Sequence, residues 1–238
     1  MSNLLIKDKE VVVPGQELAE GMDYLPSYGT YRHGEKIIAN KLGLVHIDRK
    51  VVKLISLSGK YNPKRGDTII GQVTDVSFSG WRIEINCAYH AMLGIKDASS
   101  EYIARGADLT QYFNIDDWVV AKITNVTSQK LVDLTMRGPG LRKLKGGRIV
   151  YINTNKVPRV IGKSGSMVTM IKKATNCKII VGQNGVVWVQ GEPEMEAYAV
   201  NAIKIIEKES HVSGLTDRVK EYLEKATGAK IDMTPQQE

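Results

Sequence analysis

Two clusters of Gly and Pro do most to limit what this 238-residue chain can fold into. The first runs Gly59-Lys60-Tyr61-Asn62-Pro63-Lys64-Arg65-Gly66, and the second Arg137-Gly138-Pro139-Gly140. Pro lacks a backbone donor and Gly lacks a Cβ, so such runs interrupt strands and helices alike. They cut the chain into three pieces, 1–65, 66–137 and 138–238, each long enough to bury a modest core. Three small domains are expected.

Residues 1–65 read as short strands. Val11-Val12-Val13 stops at the turn pair Pro14-Gly15, and Lys36 to Asn40, Leu42 to Ile47 and Val51 to Leu57 follow, rich in β-branched residues. A sheet so small has little core of its own and is expected to pack against a neighbouring domain or another subunit. Residues 66–137 carry strand signals over Thr68 to Phe78, Trp81 to Asn86, Ala91 to Ile95, Trp118 to Val126 and Leu131 to Met136. A longer excursion, Asp97 to Phe113, precedes the fourth. Five short strands with one long connection at that point match an OB-fold barrel.

Residues 138–238 open on a basic linker, Leu141 to Gly147, and then read strand, helix, Gly turn, helix, strand, strand, helix. Arg148 to Ile152 is the first strand, and Ser166 to Thr175 the helix after the turn. Lys178 to Val181 and Val186 to Val189 form a hairpin around Gln183-Asn184-Gly185. Pro193 opens a helix in which Met195, Ala199, Ala202, Ile203 and Ile206 recur at helical spacing. A short amphipathic helix, Leu215 to Ala226, follows with Thr216 as its cap.

Charge is uneven along these pieces. The net charge of +7 divides into +4 for residues 1–65, −3 for 66–137 and +6 for 138–238. From Leu134 to Gly191 there is no Asp or Glu at all, against eleven Lys and Arg in those 58 residues. A concentrated positive potential of this kind draws in a polyanion. Inside that stretch lies Val157-Pro158-Arg159-Val160-Ile161-Gly162-Lys163-Ser164-Gly165. Glycines at both ends of the Gly162–Gly165 turn let backbone approach phosphates, and the N–H groups opening the next helix favour anions. Lys163 and Arg159 add mobile charge, Lys172 follows on the next helix, and Ile161 and Ile180 are candidates for an apolar groove under bases. The bland alternative is a ligand-free helix–helix turn. The acid-free context and the element order favour single-stranded RNA. A P-loop is excluded, since no Gly stands five residues before Gly162-Lys163-Ser164.

On the barrel, Phe78 and Trp81 have two readings, stacking on bases or packing in the core. Their spacing of three sends them opposite ways unless a bulge intervenes at Ser79-Gly80. The linker cations Arg142, Lys143, Lys145 and Arg148 read as a solvated connector ahead of phosphate contacts. Asp116-Asp117 sit where a turn is expected and do not make a catalytic pair. The scattered His33, His46, His90 and His211 form no metal or triad constellation, and Cys87 and Cys177 read as small hydrophobes in a reducing compartment. No apolar run could span a bilayer, and the N-terminus lacks a signal pattern, so a cytoplasmic protein without cofactor, metal or catalytic residues is expected.

Three resemblances follow. Gly71-Gln72-Val73 through Ser77-Phe78-Ser79-Gly80-Trp81, Asp117 to Ile123 and Leu131 to Arg137 resemble the strands of an S1-type RNA-binding domain, with Lys96 where that family often has His. The Ile-Gly-Lys-Ser-Gly turn and its element order resemble a type I KH domain. With Val12-Val13-Pro14-Gly15, Leu18-Ala19-Glu20-Gly21 and His211 to Arg218, the whole chain resembles the RNA-binding cap subunit of the archaeal exosome. That resemblance implies a small N-terminal β domain docked on a hexameric ring of RNase PH-like subunits, an S1 barrel lining the pore, and an outward KH domain. It implies a homotrimeric cap feeding the 3′ end of RNA into a phosphorolytic ring. The alternative is a free-standing single-stranded RNA-binding protein acting in translation or RNA stability.

Overall fold

The computed structural model describes residues 3–57, 59–104, 106–210, 212 and 214–228. His211 and Ser213, within the third stretch quoted for the family, lie outside them. The chain forms two compact units, Met1–Gly59 and Lys60–Glu238.

The first unit is all β. Its strands are β1 (Asn3–Leu4), β2 (Val11–Val12), β3 (Glu17–Glu20), β4 (Leu25–Pro26), β5 (Thr30–His33), β6 (Lys36–Ala39), β7 (Gly43–Asp48) and β8 (Val51–Ser56). They make two four-stranded sheets, β1-β3-β6-β5 and β2-β7-β8-β4. Alternation sorts their faces: Val12, Val45, Val52 and Leu54 join Leu18 and Ile37 in a small core. Val11, Leu44 and Ile55 stand in register on the opposite face. Val11 and Ile55 are exposed there, as are Val13, Leu42 and Leu57, which extend the same alternation.

The second unit begins with a barrel of β9 (Thr68–Ser77), β10 (Gly80–Glu84), β11 (His90–Gly94), β12 (Trp118–Val126) and β13 (Val132–Thr135). It closes in the order β10-β11-β13-β12-β9, with β11 and β13 parallel. Closure leaves the barrel without an edge strand, which is how an OB-type barrel survives with so few strands. The excursion before β12 holds α1 (Ile95–Ala98) and a 3-10 turn at Leu109–Gln111. Asp108 caps that turn by accepting from the Thr110 amide at 3.0 Å.

The remaining elements are β14 (Arg148–Tyr151), α2 (Val157–Ile161), α3 (Ser166–Thr175), β15 (Lys178–Val181), β16 (Val186–Gln190), α4 (Pro193–Glu209) and α5 (Leu215–Thr227). This is the type I KH order, with a three-stranded sheet β14-β16-β15 and α5 appended. Val187 and Val189 face the helices, where they meet Ile171, Ile203 and Val219. Val186 and Trp188 face the other way, into a second cluster with Ile70, Val120 and Leu144.

That second cluster joins the KH sheet to the barrel. The turn of the β15–β16 hairpin is seated against β9. Gln183 N–H donates to Thr68 O at 2.9 Å, and the fully buried Asn184 straddles Ile70, accepting from its N–H at 3.3 Å and donating to its carbonyl at 2.7 Å. The same amide reaches Ile85 O at 3.0 Å.

The basic linker differs from the expected solvated connector. Val120 N–H donates to Arg142 O and Leu144 N–H to Trp118 O, both at 2.8 Å, so the linker pairs with the start of β12 beyond the reach of β13. Leu144 is buried, and Lys143 is ion-paired with Asp117. Strand pairing and an apolar anchor outweigh the solvation of its cations.

Candidate nucleic-acid interface

Val157 and Val160 anchor α2 in the KH core and leave Arg159 exposed on its outer side. The helix ends at Gly162, whose N–H donates to Pro158 O at 2.9 Å and whose backbone takes φ 77° and ψ 176°. Gly is required there twice over. The positive φ disfavours a side chain, and a Cβ would lie 2.7 Å from both Cβ and N of Met167. Ser164 (φ 52°) and Gly165 (φ 78°) are also left-handed, which throws the loop outward before α3 begins. Gly165 meets nothing within 4 Å at its Cβ position, so only its dihedral is special.

Lys163 and Ser164 are exposed on this outward turn. No side chain caps the N-terminus of α3, whose dipole adds positive potential beside them. Lys172 is exposed further along the helix. Ile161 is half-buried against the helix-side core, with Val168 and Val181 in the same situation. Ile180 is not with them. Alternation along β15 buries Ile179 on the helix side and turns Ile180 to the barrel-facing cluster, so it cannot line a groove beside the Gly turn. Val168 and Val181 share that half-buried position, and the same period-2 rule applied to Ile179 places Val181 on its face.

The barrel pair separates. Trp81 is 0% exposed, with Nε1–H donating to Phe113 O at 2.8 Å and its ring set edge-on to Phe113 at 5.1 Å and 83°. Its face is closed to a base, which corrects the stacking reading for this residue. Phe78 is 95% exposed. The two diverge because Phe78 and Ser79 form the turn between β9 and β10, while the register shift lies at Arg82/Ile83 rather than at Ser79-Gly80. Lys96 is exposed and lines the same groove as Phe78.

Asp117 Oδ2 accepts from the Asn114 amide at 2.6 Å and pairs with Lys143, and Asp116 Oδ1 accepts from Gln72 Nε2 at 3.0 Å. Both carboxylates hold the turn before β12. Among the described residues no three His, Cys, Asp or Glu gather as a metal site, and no helix is long and apolar enough to cross a membrane. Cys87 and Cys177 are free, and burial pushes both thiols above their ordinary pKa.

A closed OB-type barrel seamed to a type I KH module, with an open Gly-x-x-Gly turn, defines a class of RNA-binding protein. Family models match in the same order: the N-terminal region described for exosome complex exonuclease RRP4 over residues 11–48, the RRP4 S1 domain over 60–106, and the KH domain over 148–205. The exosome complex component Rrp4 of Methanothermobacter thermautotrophicus is 44% identical, over 97% of this chain and 73% of that protein. Its counterpart in Methanothermus fervidus is 45% identical over 92% and 97%, and that of Pyrococcus furiosus 42% over 94% and 86%. A crystal structure described with the words "exosome complex RNA-binding protein" superposes with a TM-score of 0.65 at 35% identity, over 71% of this chain and 97% of the other. The chain belongs to the Rrp4 family of archaeal exosome components.

Proposed function

We propose that the chain is a non-catalytic RNA-binding cap subunit of the exosome. It captures single-stranded RNA and guides the 3′ end into an RNase PH-like phosphorolytic ring for 3′-to-5′ degradation and processing in the cytoplasm. Three copies form the cap. Residues 1–65 dock on the ring, 66–137 form the S1 module at the pore, and 138–238 form the outward KH module.

The observation that carries this reading is the outward turn from Gly162 to Gly165, with Lys163 and Ser164 exposed and no side chain capping the head of α3. It lies in a run of 58 residues without a carboxylate side chain. The amides of Lys163 and Ser164 bind phosphate oxygens, Arg159, Lys163 and Lys172 neutralise the backbone, and Ile161 with Val168 and Val181 lies under the bases. On the barrel, Phe78 stacks and Lys96 meets a phosphate. Support for ring docking comes from the exposed row of Val11, Val13, Leu42, Ile55 and Leu57, more apolar surface than a unit with so small a core leaves bare without a partner.

The test is filter binding of labelled RNA to Gly165→Asp. Asp tolerates a left-handed backbone better than most residues and meets open space here, so the fold is retained while a carboxylate faces the phosphates. Gly162→Asp is a poorer choice, because its Cβ would displace Met167. Affinity equal to the parent removes the proposal. The parent should also weaken with salt at a log–log slope of about −3, for roughly four phosphates on a single strand. Shortening of the RNA by the purified chain, with Mg²⁺ or with phosphate, refutes the non-catalytic role. A stable monomer that ignores ring subunits points instead to a free-standing RNA binder.

A further inference from the structure

The outward face of the sheet β2-β7-β8-β4 is apolar on every strand. Val11, Leu44 and Ile55 stand in one register row, and Val51 with Leu25 in another. Val11, Leu25 and Ile55 are each more than half exposed. One cation stands between the two rows. Period-2 alternation along the inner strand β8 sets Lys53 between Val51 and Ile55, with His46 directly across from it on β7.

Lys53 is half-buried in this apolar field, and among the described residues no carboxylate pairs with it. Asp8 is committed elsewhere, accepting from Ile47 N–H at 2.9 Å and lying 3.4 Å from His46 Nδ1. Asp48 stands across from Val51 at the end of the hairpin and is exposed. Other cations of the unit are provided for: Lys36 meets Glu17, Lys50 meets Asp23, and Arg32 donates to the carbonyls of Gly21 and Tyr24. Covering the face would strip the Lys53 ammonium of its remaining water. An ammonium buried without an acceptor costs more than its apolar neighbours return, so a partner that covers this face stably must bring an anion to it.

We propose that the ring surface received by this face is apolar with a carboxylate at its centre, and that Lys53 pairs with that carboxylate and so selects the partner. This rests on the reading of the face as the ring-docking surface and adds the chemistry that the other side must carry. A flat apolar face accepts many apolar surfaces, whereas a cation fixed at its middle rejects those that leave it unpaired. Lys53 is thus a specificity-determining residue, and its substitution disturbs little of the fold, since its side chain lies outside the core of Val45, Val52 and Leu54.

The experiment measures binding of the full chain to an immobilised ring of RNase PH-like subunits from the same source, by biolayer interferometry. Lys53→Met is expected to weaken binding about thirtyfold, the lower end for one partner lost from a covered charge pair, and Lys53→Glu by more than about a hundredfold. Lys53→Arg should stay within about threefold of the parent, because it keeps the charge. The parent should also lose more affinity than Lys53→Met as salt is raised. Ile55→Asp, which puts a charge in the apolar row, tests the docking reading itself. Loss with Ile55→Asp but parent-like or tighter binding by Lys53→Met and Lys53→Glu overturns the carboxylate and leaves ring docking standing. Parent-like binding by all three overturns both. Self-association of the parent without the ring, abolished by Ile55→Asp, would give the face to a second copy of the chain and overturn the proposal as well.

Discussion

Asn184 is the residue whose removal tests the architecture most sharply. Its side chain makes three buried hydrogen bonds to the barrel, from Ile70 N at 3.3 Å, to Ile70 O at 2.7 Å and to Ile85 O at 3.0 Å. Val120, opposite Ile70 in the ladder, gives its own N–H to Arg142, so Asn184 stands where a neighbouring strand would otherwise satisfy Ile70. Asn184→Ala strands those groups in a site closed to solvent. Each unsatisfied buried group costs about 1–3 kcal/mol, and the longest of the three bonds contributes least, so a total of roughly 3 kcal/mol is expected. For a domain of this size 1 kcal/mol moves the midpoint by about 2–4 °C, which predicts a fall of ~6–12 °C. The chain's three tryptophans, Trp81, Trp118 and Trp188, all belong to the second unit, so tryptophan fluorescence follows that unit alone. Asn184→Asp should be worse still, since a carboxylate cannot donate to Ile70 O or Ile85 O. A midpoint lowered by less than about 2 °C in the alanine variant would show that the seam does not depend on this amide and that the reasoning is wrong.

Two further outcomes follow from the same geometry. Trp81→Phe should lower stability by about 1–3 kcal/mol, through the orphaned Phe113 carbonyl and the space left beside its ring, while RNA affinity stays at the parent value. Chemical denaturation paired with filter binding of labelled RNA checks both halves. Asp108 is held below the ordinary carboxylate range by the hydroxyl and then the amide of Thr110. Its folded pKa is the lower one, so its contribution is present above the unfolded value and fades as pH falls through the folded one. An NMR titration should place its midpoint below that of Asp108 in Thr110→Ala.

Much of the second unit was legible in the chain because its signals are local. Trp118 to Val126 was read as a strand from its apolar pattern and is one, to the residue. Ala199, Ala202, Ile203 and Ile206 repeat at helical spacing and are all buried on α4. What stayed hidden was set by partners far away in sequence. Glu17-Leu18-Ala19-Glu20 has no strand signal of its own, yet it pairs with β1 and β6. Leu141 and Leu144 sit among cations and are drawn onto the barrel by β12 and Trp188. Asn184 is a turn residue by type, and nothing adjacent reveals that the turn is buried. In the candidate site, the Gly turn and Phe78 were readable from type and spacing.

The seam between barrel and KH sheet bears on how the molecule can be dissected. A cut after Arg137 looks natural on paper, but it removes residues 142–144 from the strand they pair with. One fragment would keep Ile70 and Val120 uncovered, and the other Val186 and Trp188. Each half would then carry a raw apolar wound, prone to self-association, and its affinities would describe the injury and not the part. Work on isolated halves should therefore begin by recutting the border past Leu144 and giving both new surfaces a polar coat.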